Sequence, residues 1–167
     1  MSSESIPPGV VFLDHTADVG LDVTAATLAE LFTRAAVGMA CLISGADRAG
    51  DARDAAAVAD RAPDAGDASL PRSFTEHVAE RRVSLSAEDA AALLRAWLRE
   101  LLRWHEAEGL TLRDARFDVL TDTRLDASVR LAPETFQPVR EIKGVTLHGL
   151  LAERCGGGWT GRVIFDV

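Results

Sequence analysis

One segment leaves little choice of structure. Between Ser86 and Gly109 the residues Ala90, Leu93, Leu94, Trp97, Leu98, Leu101 and Leu102 recur three and four positions apart, the spacing of one helix face. Ser86 can cap the start of this helix. Each fully buried leucine contributes roughly 1.5–3 kcal/mol, so the stripe must be covered by other elements and anchors the core. Arg95, Arg99, Glu100 and Arg103 lie off it and are expected to face solvent. A second helix is expected earlier, where Thr27 and Glu30 make a capping box. Leu28, Leu31, Phe32, Ala35, Met39 and Leu42 then follow at helical spacing.

The remaining regular stretches read as strands. Val10–Leu13 and Val19–Val23 flank a turn, and Arg81–Leu85 leads into the leucine-rich helix. Thr111–Leu120 and Arg124–Leu131 form a hairpin around Thr121–Thr123. Val145–Glu153 and Trp159–Asp166 pair across Cys155–Gly158, where successive glycines can supply positive φ. The order β-β-α-β-α-β-β-β-β predicts an α+β two-layer sandwich. It has a largely antiparallel sheet of about six or seven strands and two long helices on one face.

Residues 1–167 are expected to form a single domain with one interruption. Ser44–Arg72 is almost all Ala, Asp, Gly and Arg, with Val58 and Leu70 its only larger aliphatics apart from its prolines. It buries too little apolar area to offset an ordering cost of roughly 1–2 kcal/mol per residue, which predicts a flexible surface insertion, with room for a short helix near Asp51–Asp60. Net charge is −8, so direct stable binding to nucleic acid is not expected. No apolar run is long enough to span a membrane and no secretory signal is visible, which points to the cytoplasm. Cys41 and Cys155 offer neither a disulfide framework nor a metal knuckle. Seventeen of the eighteen basic residues are arginine, which leaves Lys143 as the one lysine.

Three segments concentrate polar chemistry. Asp14-His15-Thr16-Ala17-Asp18 sits in a tight turn, where such residues either cap backbone N–H groups or aim a carboxylate outward from a rigid frame. The chain's last residues, Ile164-Phe165-Asp166-Val167, set an acid at the end of an apolar strand. Glu141-Ile142-Lys143-Gly144-Val145-Thr146-Leu147-His148 enters another strand, where Glu141 and Lys143 could pair on one face.

Taken together and in this order, the three segments resemble the archease family. DHTADVG at 14–20 is similar to the family's N-terminal signature, EIKGVTLH at 141–148 to its lysine-containing stretch, and IFDV at 164–167 to its ending. The helix block at 87–110 matches as well, so the resemblance covers about four-fifths of the chain. Gly144 stands where alanine is usual and Leu147 where tyrosine is usual. The resemblance implies an accessory protein rather than an enzyme. Its partner would be an RtcB-type RNA ligase of tRNA splicing and RNA repair, whose guanylylation and repeated turnover it would promote. It also implies a divalent ion, calcium first and magnesium or manganese otherwise, on Asp18, Asp166 and the terminal carboxylate of Val167.

Electrostatics agrees with that ligand set. Two anions about 4 Å apart repel by roughly 4 kcal/mol at an effective dielectric near 20, so bringing them together is unfavourable unless a cation sits between them. All-oxygen anionic donors select hard ions over zinc. Lys143 would balance the cluster's charge, or reach a phosphate or the ligase. His15 and Thr16 would orient the turn, with Glu141 and His148 as further supporting or partner contacts. Two other readings remain open: an independent metal-dependent phosphoesterase or hydrolase using Asp18, Asp166, His15 and His148, and a general chaperone-like adaptor. Against the hydrolase, no nucleophile elbow, P-loop or HExxH is present.

Overall fold

Helix ends and strand registers account for the architecture. The computed structural model describes residues 6–14, 18–48, 78–134 and 137–167. Strands β1 (Val10–Asp14) and β2 (Asp18–Ala25) precede α1 (Leu28–Ser44), and β3 (Ala79–Ser86) precedes α2 (Ala90–Glu108). Then follow β4 (Leu110–Leu120), β5 (Arg124–Pro133), β6 (Gly144–Val145), β7 (Leu151–Cys155) and β8 (Gly158–Asp166). The Thr27 hydroxyl accepts the Glu30 N–H at 3.2 Å, and the Glu30 carboxylate accepts the Ala26 N–H at 2.7 Å. In α2 the cap is Asp89, which accepts the Ala92 N–H at 2.7 Å. Ser86, expected in that role, is instead the last residue of β3, where it pairs with Arg124.

The expected α+β class holds, with antiparallel strands and two long helices. The strands number eight among the described residues and divide between two sheets: β1-β2-β8 with β6 and β7 both on the far side of β8, and β3-β5-β4. The main packing of each sheet is against the helices. α1 contacts β2, β8 and β4, while α2 contacts β6, β7 and all of β3–β5. Trp97 lies fully buried at this junction. Its indole N–H donates to the Phe32 carbonyl at 3.2 Å, and the rings of Trp97 and Phe32 both meet Phe117 of β4.

The stretch expected as one strand from Val145 to Glu153 is two. Val145 pairs with Phe165, but Leu151 pairs with Arg162, so three residues more than a continuous ladder needs are looped out between them. Thr146 still donates its N–H to the Ile164 carbonyl at 2.9 Å, after which the chain turns through Gly149. The β7–β8 hairpin closes as expected on Gly156 and Gly157, with φ of 58° and 88°, values that suit residues without a Cβ.

Ser44 and Ala46–Arg48 belong to the fold: Ser44 ends α1 and the next three form a 3-10 turn. Residues 49–77, with the helix expected near Asp51–Asp60, lie outside the described residues. Arg140 clamps this corner by donating to the Leu42 carbonyl at 3.2 Å and to Asp47 at 3.0 Å. Both side chains are about nine-tenths buried. Among the described residues, no helix is long and apolar enough to cross a membrane.

Two predictions follow from the buried charges. Arg140→Ala leaves the Asp47 carboxylate without its counter-ion and is expected to cost about 3 kcal/mol in urea unfolding, with the Asp47→Ala/Arg140→Ala pair costing less than the two single changes summed. His105, whose Nδ1 lies 3.3 Å from Glu134, has its pKa lowered because loss of hydration outweighs the pull of Glu106. The unfolded chain therefore takes up a proton near its ordinary value of about 6.5 that the folded chain refuses. Stability falls as pH drops through that value and stops falling once the folded imidazole also protonates. His105→Gln is expected to shrink the difference between urea midpoints at neutral and mildly acidic pH.

Candidate functional site

The β2–β8 ladder brings the two ends of the sequence together. Asp18 opens β2, Asp166 closes β8, and the two are directly opposite in register. Opposed residues of an antiparallel pair project from the same face, with Cβ atoms about 4.5–5.5 Å apart. The face is set by alternation. Val19, Leu21 and Val23 of β2 and Val163 and Phe165 of β8 are buried in the core, so Asp18, Asp22, Arg162 and Asp166 occupy the outer face.

Two cross-strand pairs on that face differ in one respect. Asp22 opposes Arg162, and the guanidinium grips the carboxylate at 2.6 and 2.7 Å. That contact raises the Arg162 pKa above its ordinary value. Asp18 opposes another carboxylate. Between the pairs, Gly20 opposes Ile164. A Cβ on Gly20 would come within 2.6 Å of the Ile164 Cδ1, so the glycine lets an apolar side chain lie across the strand beside the acids.

The third wall is β6. Gly144 pairs with Asp166, and the Lys143 N–H donates to the Asp166 carbonyl at 2.8 Å. The Lys143 ammonium donates to the main-chain oxygen of Val167 at 3.1 Å, so it reaches Val167 in place of the expected partner Glu141, which is exposed. His148 is exposed in the turn after β6, and its own N–H goes to the Thr146 hydroxyl at 3.2 Å. His15 and Thr16 lie outside the described residues. Arg95, expected in solvent, is half-buried, and its Nε–H donates to the Val145 carbonyl at 2.8 Å, tying the two-residue strand to α2. Only its position four residues before Arg99 and eight before Arg103, a single row of arginines, hinted at more than solubility.

Among the described residues, no three His, Cys, Asp or Glu side chains gather into a ligand group. The donors at this edge are two carboxylates and the Val167 main-chain oxygen, all hard oxygen atoms. Such a set fits calcium, magnesium or manganese and offers nothing to a thiophilic metal. Like charges directly opposite across strands cost stability, by roughly 0.2–1 kcal/mol at exposed positions. In chelator, Asp18→Asn and Asp166→Asn are therefore expected to equal or exceed the parent protein in thermal stability. A clear loss in either variant would mean that the carboxylates already have a compensating partner within the chain.

The chain is similar to known proteins over nearly its whole length. The family model described as "Archease protein family (MTH1598/TM1083)" matches residues 11–68 and 67–167. The chain is 26% identical to the protein archease of Pyrococcus abyssi, over 92% of this chain and 95% of that one. It is 30% identical to that of Thermococcus gammatolerans, over 92% and 95%. The solution structure of Methanobacterium thermoautotrophicum protein 1598 superposes with a TM-score of 0.63 at 25% identity, covering 95% of this chain and 99% of that one. The matched ranges include both the β2 and the β8 ends of the acidic edge, and the chain belongs to the archease family.

Proposed function

We propose that this protein is a cytoplasmic accessory factor, not itself a catalyst, for an RtcB-type RNA ligase acting in tRNA splicing and RNA repair. It would promote ligase guanylylation and repeated turnover through the Asp18–Asp166 edge. The observation that carries this reading is the in-register opposition of two carboxylates on an outer sheet face, beside a carboxylate that does have a cationic partner. A fold gains nothing by opposing two acids at a strand end. Such a pair is retained when something positive is to be held there.

Asp18, Asp166 and Val167, through its carboxylate, would hold the divalent ion, calcium or otherwise magnesium or manganese. When bound there, the ion would supply a hard Lewis acid for phosphate oxygens. The chain's own part is positional. Arg95 fixes β6, β6 fixes Lys143, and the Lys143 ammonium donates to the Val167 main-chain oxygen. A net charge of −8 suits a partner whose RNA-binding cleft is basic, because complementary fields speed encounter.

The test is guanylylation of the purified ligase with and without this protein. The parent protein is expected to accelerate it, and Asp18→Ala and Asp166→Ala to lower the rate at least about ten-fold, toward that of ligase alone. Acceleration by both variants equal to the parent would remove the edge from the mechanism. Metal-dependent phosphoesterase turnover by the protein alone, abolished in Asp166→Asn, would favour the hydrolase reading instead.

A further inference from the structure

The outer face of the five-stranded sheet carries more than the two acids, and register sets its rows. Val11, Asp22, Arg162 and Leu151 lie in one row across β1, β2, β8 and β7. Leu13, Gly20 and Ile164 form the next, and Asp18 and Asp166 the one beyond. On the other flank Thr24, Thr160 and Glu153 form a fourth. α1 packs on the opposite side, where a Cβ on Gly38 would lie 2.9 Å from Leu21. The two middle rows are apolar or neutral. Leu13 and Ile164 reach over Gly20, and the Asp22 carboxylate is matched by Arg162. The turn after β6 lies against the same face, since a Cβ on Gly149 would stand 3.7 Å from Ile164. Five large apolar side chains are exposed among the described residues, and three belong here: Val11 at 59%, Leu151 at 37% and, in that turn, Leu147 at 69%.

Exposed apolar side chains gathered on one face mark an interaction surface. We propose that a basic protein docks on this face, with apolar residues against Val11, Leu13, Ile164, Leu147 and Leu151 and cations toward its acids. The charges select the occupant. The strand residues of the face present Asp18, Asp22, Glu153 and Asp166 against one cation, Arg162. A second copy would set the same acids against one another, on chains of net charge −8 each. Phosphate backbones are repelled by them as well. The apolar rows give the contact its affinity, and the acids give it orientation and speed of encounter. The proposal rests on the acidic edge acting on the ligase, which is then the partner: the edge acts, and the adjoining rows hold it in place.

The experiment is calorimetric titration of the full chain with the purified ligase, beside guanylylation assays of the same mixtures. The parent chain is expected to bind, and Val11→Ser/Leu147→Ser to bind about ten-fold more weakly or worse. Val119→Ser/Val139→Ser, which removes the other two exposed apolar side chains, is expected to bind as the parent does. Leu147→Ser alone, at the most exposed of the five, replaces the double variant if that one melts early, with an expected loss of about three-fold or more. Raised ionic strength is expected to weaken parent binding, because acids face cations across the contact. Equal binding by the parent and the face variant, with guanylylation still accelerated, overturns the docking face and spares the acidic edge. Equal weakening in Val119→Ser/Val139→Ser overturns it too, as does a parent dimer that the face variant makes monomeric. Binding that the face variant loses, with no acceleration by the parent, supports the docking face and overturns the accessory role. No binding by the parent overturns the docking face, and no acceleration beside it overturns the accessory role as well.

Discussion

The register between β2 and β8 is the constraint on which the rest depends. One alternation along β8 buries Trp159, Val163 and Phe165 and turns Arg162 and Asp166 outward. The same alternation along β2 buries Val19, Leu21 and Val23 and turns Asp18 and Asp22 outward. A slip of one residue would exchange the two sets and put carboxylates into the core. The packing of α1 and α2 against the inner face therefore determines which acids meet on the outer one. Burial of ordinary apolar residues on the inner face thus positions the unusual polar pair on the outer one.

Around the pair, the fold spends its cations selectively. Asp22 receives Arg162, Asp47 receives Arg140, and Val167 receives Lys143. Arg95 is turned to the backbone of β6. Among the described residues, Asp18 and Asp166 receive nothing of this kind from a side chain. Two opposed carboxylates without such a partner are the physical basis for assigning a cation to this edge.

Much of this was legible in the sequence, for identifiable reasons. The leucine stripe of α2 reads correctly because its period is unambiguous over four turns and its burial is satisfied by any covering layer. Asp18 and Asp166 could be brought together only through the family likeness, since nothing local in either segment encodes a contact 148 positions away; the ladder then opposes them directly. The sequence alone does not distinguish Ser86 from Asp89 as the cap of α2, because both have the chemistry of a cap and the choice is made by how far β3 continues along β5. The break between β6 and β7 was hidden because Thr146–Leu150 keeps strand-like composition while three extra residues loop out. Arg95 resembles a solvated residue in the sequence because a side chain that serves a distant backbone carbonyl leaves no periodic trace.

The most direct test of the central claim is a calcium or magnesium titration of the full chain, compared with Asp18→Asn, Asp166→Asn and Asp22→Asn. The account predicts one ion per chain, lost in the first two variants and kept in the third, whose carboxylate already has Arg162. Binding that survives in Asp18→Asn and Asp166→Asn, or no binding to the parent chain, would contradict it.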